Sequence, residues 1–212
     1  MLSFADIDVS KISFSEIMQL KNGGKMVYIN YNKEPLYFIT PTMNSPFGIS
    51  NYEGSGKLSI QLSLTEDPEH QAVLTKIREI EQVVINKAFE SSAAWFKKSF
   101  DKREIVSEFF SSAVYQGQDG KYAPTIKFQI TNDTEAFLNK KEQIQVNEQT
   151  IVRRSNVAVI GRIASVYVIG SNKFGITYKA EQLKVALPKT VTKPMFVFDE
   201  EDVDVEVVAE NA

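Results

Sequence analysis

Asn156-Val157-Ala158-Val159-Ile160-Gly161-Arg162-Ile163-Ala164-Ser165-Val166-Tyr167-Val168-Ile169 constrains the fold more than any other stretch of this chain. These fourteen residues carry no proline, and their β-branched side chains favour a strand throughout. Strands commonly run about 5–6 residues, so one flat strand of this length is not expected. Gly161 is the expected bend or bulge. Gly170-Ser171-Asn172-Lys173 reads as a tight turn into a second long strand over 174–187. Long, bent, paired strands of this kind suit a sheet that curls on itself.

The rest of the chain supplies the other layers. Residues 25–31 and 36–40 read as strands joined by a hairpin turn at Asn32-Lys33-Glu34-Pro35. After the loop 41–49 and the turn Gly54-Ser55-Gly56, residues 57–64 alternate, with Leu58, Ile60, Leu62 and Leu64 inward. From Pro68 the period changes: Val73, Ile77, Ile80, Val84 and Ala88 form one apolar stripe on a helix expected to reach about Phe96. A short amphipathic piece at 104–110 follows. Further strands are expected near 125–130 and 149–153. This order predicts a mainly β fold with one long helix: an OB-fold-like Greek-key barrel with elaborations, its helix between the third and fourth strands. A β-sandwich with an inserted helix fits the same periodicity. Residues 1–198 are expected to form the domain and 199–212 a flexible acidic tail. The helix stripe suits packing on the barrel or a homodimer contact equally.

Among 212 residues there is no cysteine and one histidine. Disulfides, thiolate nucleophiles and zinc ribbons are thereby excluded, and a Ser-His-Asp mechanism would rest on His70 alone. Asp67-Pro68-Glu69-His70 reads as a capped first helical turn, with His70 solvated. No phosphate-binding glycine loop and no dinucleotide fingerprint occurs. No cofactor, no metal and no enzymatic activity are expected. Neither a signal peptide nor a run of ~18 apolar residues is present, so a soluble intracellular protein with no membrane partner is expected.

Charge and aromatic residues point to a binding role. Asp199, Glu200, Glu201, Asp202, Asp204, Glu206 and Glu210 give the last fourteen residues seven carboxylates and no Lys or Arg. The formal charge of -3 for the whole chain becomes +4 when those seven are set aside. A polyanionic tail on a basic body can imitate a nucleic-acid backbone and compete for a groove. A single-strand groove needs aromatics for stacking and basic groups for phosphates. Tyr28, Tyr31, Tyr37, Tyr167 and Tyr178 are the stacking candidates, with Phe38, Phe47 and Tyr52 nearby. The phosphate candidates are Lys97, Lys98, Lys102 and Arg103, then Lys127, Arg153, Arg154, Arg162, Lys173 and Lys179, with a further basic pair at Lys140-Lys141. Arg162 lies within the longest apolar strand and is expected to face a groove or partner. Trp95 reads as a core plug at the end of an amphipathic helix.

Three stretches resemble a known family: Lys25-Met26-Val27-Tyr28-Ile29-Asn30-Tyr31; Thr40-Pro41-Thr42-Met43 with Pro46-Phe47-Gly48-Ile49; and Phe174-Gly175-Ile176-Thr177-Tyr178-Lys179-Ala180-Glu181-Gln182-Leu183. They look like the single-stranded-DNA-binding proteins of large eukaryotic DNA viruses, which are similar in fold and tail to the replication single-strand-binding protein of short-tailed coliphages. The likeness runs from about Ile17 to the tail. It implies a barrel that coats single-stranded DNA with low sequence preference during viral replication, recombination or repair. It also implies a tail that shields the groove and docks replication proteins. The host nucleus or a cytoplasmic replication site is the implied location. The phage proteins end in an aromatic residue after their acids; here Phe196 and Phe198 precede the acids and the chain reads Glu210-Asn211-Ala212. The rival readings are a virion structural protein or an acidic-tailed, chaperone-like interaction protein. A carboxylate-dependent nuclease ranks last, because the acids lie in a tail without a rigid scaffold.

Overall fold

The computed structural model describes residues 1–21, 23–52, 56–117, 120–138 and 142–188. Two 3-10 turns, Phe4–Asp6 and Val9–Lys11, lead into β1 (Ile12–Phe14) and β2 (Met18–Gln19). The hairpin expected from 25–40 is β3 (Lys25–Tyr31) with β4 (Glu34–Ile39). Its turn is shorter than expected. Asn30 pairs with Pro35 and Tyr31 with Glu34, leaving only Asn32 (φ 52°) and Lys33 (φ 71°) as the loop. Two left-handed residues in a row match the twist of the flanking strands.

Next come β5 (Met43–Ser45), β6 (Ile49–Asn51) and β7 (Leu58–Ser63), then α1 (Pro68–Glu90), α2 (Ser92–Phe96) and α3 (Arg103–Glu108). Short strands β8 (Phe110–Ser111) and β9 (Val114–Tyr115) precede β10 (Thr125–Gln129), β11 (Glu135–Leu138) and β12 (Glu142–Ile144). The two long strands β13 (Ser155–Ile169) and β14 (Lys173–Ala186) follow.

Hydrogen bonding curls these strands into a barrel. β13 and β14 pair antiparallel from Asn156 opposite Ala186 to Ile169 opposite Lys173. β14 runs parallel to β10, with Lys179 opposite Gln129, and β10 pairs antiparallel with β7. β4 and β5 form one bent stave that pairs antiparallel with β13, and β5 packs alongside β7. The first three staves in chain order are thus neighbours. The fifth follows the third, and the fourth closes back on the first. This is the OB-fold-like Greek-key barrel.

The helix sits elsewhere in that order than the sequence predicts. It enters between the second stave, β7, and the third, β10. The reason is that β3 is not a stave: it pairs with the outer half of β13 (Tyr28 opposite Ser165, Lys25 opposite Val168) and extends the sheet sideways.

Gly161 acts as expected. The β13–β14 register shifts between Ile160 and Gly161, and again between Ile163 and Ser165. A Cβ on Gly161 would stand 2.8 Å from Cζ of Phe38 and 2.9 Å from the Lys179 carbonyl oxygen, so only glycine fits this close approach.

α1 begins as its sequence indicates, with Asp67 Oδ1 accepting from the Glu69 N–H at 2.8 Å and Pro68 in the first turn. It stops at Glu90 rather than near Phe96, and Ser91 separates it from α2. Val73, Ile77, Ile80, Val84 and Ala88 are buried in the chain's own core, which places the stripe on the barrel. Trp95 is buried edge-on to Phe174, at 6.3 Å between ring centroids, as a core plug should be. His70 is not merely solvated. Its Nδ1 lies 2.8 Å from Thr65 Oγ1 and its Nε2 3.1 Å from the Thr42 carbonyl, tying the start of α1 to the loop after β4.

Residues 149–153 form turns, not the expected strand. Asn147 Oδ1 accepts from the backbone N–H of both Gln149 and Thr150 and from the Thr150 hydroxyl, curling the chain locally. No helix among the described residues is long and apolar enough to cross a membrane. The tail residues Asp199, Glu200, Glu201, Asp202, Asp204 and Glu206 lie outside the described residues, as do Lys140 and Lys141.

Candidate nucleic-acid interface

Strand alternation fixes what the outer face of the barrel displays. On β4, Leu36 and Phe38 are buried and Tyr37 between them is 45% exposed. On β10, Ile126 and Phe128 are buried while Lys127 and Gln129 are exposed. Register then lines these residues up across five strands. Tyr37 lies opposite Arg162, Arg162 opposite Lys179, Lys179 opposite Gln129, and Gln129 opposite Ser59. Lys127, two residues before Gln129, faces Gln61. Tyr28, 42% exposed, faces Ser165, and the β3–β4 register puts it on the same side as Tyr37. Six predicted site residues therefore share one outer face: Tyr28, Tyr37, Lys127, Arg162 and Lys179, with Tyr167 half-buried among its neighbours.

Arg162 is the most constrained of them. Its guanidinium carbon lies 5.8 Å from the Tyr37 ring centroid, and its Nε donates to Glu181 Oε1 at 3.0 Å. One aromatic face and one carboxylate hold the fork in place. A phosphate reaching Arg162 must share it with Glu181.

Other predicted residues lie elsewhere. Tyr178 is a correction: it points inward, buried, its ring 6.2 Å from those of Phe4 and Phe128. It falls on the alternate face from Lys179, and its bulk fills the barrel interior. Burial, with the Glu81 carboxylate a smaller influence, pushes its hydroxyl well above the ordinary tyrosine range. That hydroxyl has no hydrogen-bond partner among the described residues. Tyr31 is a second correction. Its hydroxyl accepts from the Asp8 N–H at 3.4 Å and Lys11 Nζ lies 6.0 Å from its ring, so it anchors the N-terminal arm. Tyr167 is on the outer face but half-buried, lying across Gly175, where a Cβ would stand 2.5 Å from its hydroxyl oxygen. Lys173 is exposed at the end of the β13–β14 hairpin, opposite Ile169.

The basic cluster at 97–103 belongs to the helical side. Arg103 donates from its guanidinium to Gln82 and Asn86 on α1. Lys97 ends α2 with φ 59°, Lys98 Nζ lies 5.4 Å from the Phe100 ring, and Lys102 precedes α3. The structure does not bring Lys97, Lys98, Lys102 or Arg103 to the face that carries Arg162.

Arg153 and Arg154 open onto a cleft of about 630 Å³ beside β7 and β10. Phe47, Tyr115 and Tyr122 line it with them, and Ser63 and Thr125 form part of its wall. These three rings are 51%, 67% and 70% exposed. Sequence reasoning missed Tyr115 and Tyr122. The available signal was their setting in the sequence, on either side of the Gly- and Gln-rich stretch 116–120.

No protein-family model and no curated protein matches the sequence. Among solved structures, the chain is similar to the single-stranded DNA-binding protein of bacteriophage Enc34 in a C-terminally truncated form. The identity is 10%, the TM-score 0.44, and the match covers 85% of this chain and 98% of that one. It is also similar to the Enc34 protein in complex with single-stranded DNA, at 9% identity and TM-score 0.44, covering 84% and 96%. A third likeness is to gp2.5, a single-stranded DNA-binding protein encoded by bacteriophage T7, at 14% identity and TM-score 0.46, covering 74% and 96%. At these values nothing that those proteins bind passes to this chain.

Proposed function

We propose that this protein binds single-stranded DNA with low sequence preference and protects it during viral DNA replication, recombination or repair. The observation that carries the reading is the cross-strand line Tyr37–Arg162–Lys179–Gln129, with Lys127 and Tyr28 on the same outer face. Two exposed aromatic rings, Tyr28 and Tyr37, and three cations, Arg162, Lys179 and Lys127, stand there on paired strands. Rings stack any base, and cations neutralise any phosphate, so such a face binds without reading sequence. Its role is binding rather than catalysis.

The acidic segment 199–212 is proposed to compete with DNA for this face and to dock replication proteins when DNA displaces it. Charge supports this: seven carboxylates follow a body of formal charge +4.

Fluorescence anisotropy with a labelled dT oligonucleotide, at ~50 mM and ~200 mM salt, tests the main claim. Binding at the lower salt and a steep loss at the higher are expected, because released counterions drive the association. No binding at ~50 mM salt would overturn it. Lys127→Glu with Lys179→Glu is expected to weaken binding and to flatten the salt slope by about two phosphate contacts.

A further inference from the structure

The cleft at Arg153 and Arg154 is built rather than incidental. Gly48 (φ 70°) presses against the turn that carries the two arginines: a Cβ there would stand 2.5 Å from the Ile151 carbonyl oxygen and 2.9 Å from the Arg153 nitrogen. The Ile49 N–H donates to that same Ile151 carbonyl at 3.0 Å. Phe47 is thereby fixed beside the arginines. Arg154 holds a left-handed conformation (φ 66°), which costs a non-glycine residue of order 1 kcal/mol or more. Its N–H donates to the Ser45 carbonyl and its own carbonyl accepts from Asn44 Nδ2, so the turn is pinned in that shape. Neither guanidinium has a hydrogen-bond or ion-pair partner among the described residues. Two unneutralised arginines and three largely exposed rings thus converge on one concave space.

The cleft also continues the face described above. Thr125 forms part of its wall and donates from Oγ1 to Gln61 Oε1 at 3.0 Å, and Gln61 lies opposite Lys127. Thr125, Lys127 and Gln129 therefore lead along β10 from the cleft to the Lys179–Arg162 line. A volume of about 630 Å³ lies within the roughly 300–1,000 Å³ typical of small-molecule sites. A nucleotide or two would occupy it, whereas a base pair held in duplex stacking could not lay its bases on these rings.

We infer that Phe47, Tyr115 and Tyr122 with Arg153 and Arg154 form a base-capturing subsite. It takes one or two unstacked nucleotides of a single strand where that strand leaves the sheet, the rings stacking the bases and the arginines gripping the flanking phosphates. The inference rests on the proposed single-strand binding, and its test separates the two. The full chain is titrated with dT oligonucleotides carrying a single 2-aminopurine at successive positions. One or two adjacent positions are expected to be quenched strongly by stacking. In Tyr115→Ala/Tyr122→Ala that quenching should vanish and affinity fall about tenfold or more. Arg154→Gly suits the left-handed turn and should melt no lower than the parent protein, while its affinity falls severalfold. Unchanged affinity and an unchanged quenching pattern in all these variants, with Lys127→Glu/Lys179→Glu still weakened, would overturn the subsite and leave the sheet face standing. Loss confined to the cleft variants would establish the cleft and refute the sheet face. No binding by the parent protein would sink both.

Discussion

Glu181 sits at the shift in register between β13 and β14, and there it meets Arg162. Ile160 lies opposite Gln182 and Gly161 opposite Ala180, so Glu181 has no partner of its own across the pair. Its Oε1 accepts from Arg162 Nε at 3.0 Å. The bulge delivers a carboxylate to the one arginine in the middle of the proposed binding face. Glu181→Gln is expected to free that arginine and tighten oligonucleotide binding about two- to fivefold at low salt, since a partly exposed pair is worth ~1 kcal/mol or less. Anisotropy titrations at two salt concentrations check it; equal or weaker binding by the variant would mean that Arg162 does not meet phosphate.

Tyr37 and Tyr178 are expected to respond in opposite ways. Tyr37→Ala removes an exposed ring and should cost ~1–3 kcal/mol of binding with little change in stability. Tyr178→Phe removes a buried hydroxyl that has no partner among the described residues, so stability should hold or rise by about 1 kcal/mol, with binding unchanged. Paired urea melts and titrations distinguish the two. A binding defect in Tyr178→Phe would contradict its inward position.

A methyl group at position 161 would meet the Phe38 ring and the β14 backbone at once. Gly161→Ala should therefore destabilise the barrel by about 1–3 kcal/mol, and adding Phe38→Leu should recover part of that loss. The denaturation midpoint should fall at constant slope. A midpoint equal to that of the parent protein would show that the close approach is relaxed in solution.

Glu81 gives stability a definite dependence on pH. It accepts from Ser112 Oγ at 2.6 Å from a partly buried position on α1. Burial raises its carboxyl above the ordinary range, against smaller opposing contributions from Ser112, the Ala113 N–H and Arg78. A carboxyl raised on folding binds its proton more tightly in the folded state. Its stabilising contribution is full below the unfolded value, 4.5, and is lost as pH rises through the folded one. Glu81→Gln should therefore gain stability relative to the parent as pH rises from ~4 to ~8. A constant difference across that range would rule out the raised carboxyl.

Deleting 199–212 removes seven negative charges. Tighter binding is expected, most clearly at ~50 mM salt and fading by ~200 mM as screening weakens the competition. Equal or weaker binding by the shortened chain would show that the tail is not a competitor.

Much of the barrel was legible because local patterns agreed with the global fold. The alternation in β7, the stripe of α1 and the glycine in β13 each carry a period or a steric need that survives in the finished structure. Legibility ended where partners far away in sequence decide. Tyr178 and Lys179 are neighbours in a strand of similar residues, and only the closure of the barrel shows which of them faces Phe4. Tyr31 reads as a strand tyrosine until the N-terminal arm is seen to cover it. Arg103 reads as part of a basic cluster until Gln82 and Asn86 claim it. The turn at 149–153 has strand-like residues, but Asn147 captures the backbone first. Tyr115 ends a two-residue strand and Tyr122 lies outside the strands and helices, so neither sits in a run long enough for periodicity to detect.

Beyond its short hairpin with β3 and the Ser3–Ile39 bridge, the stave made by β4 and β5 pairs along its length with β13, so that Ile39 waits for Ile160 and Ser45 for Ser155. On the ribosome, the first part of the chain must emerge and linger with an unpaired edge until most of the protein has been synthesised. Closure comes late, and the nascent hairpin of β3 and β4 is exposed to aggregation throughout that interval. Slow translation or a holding chaperone would therefore affect the yield of this protein more than the stability of its finished barrel suggests.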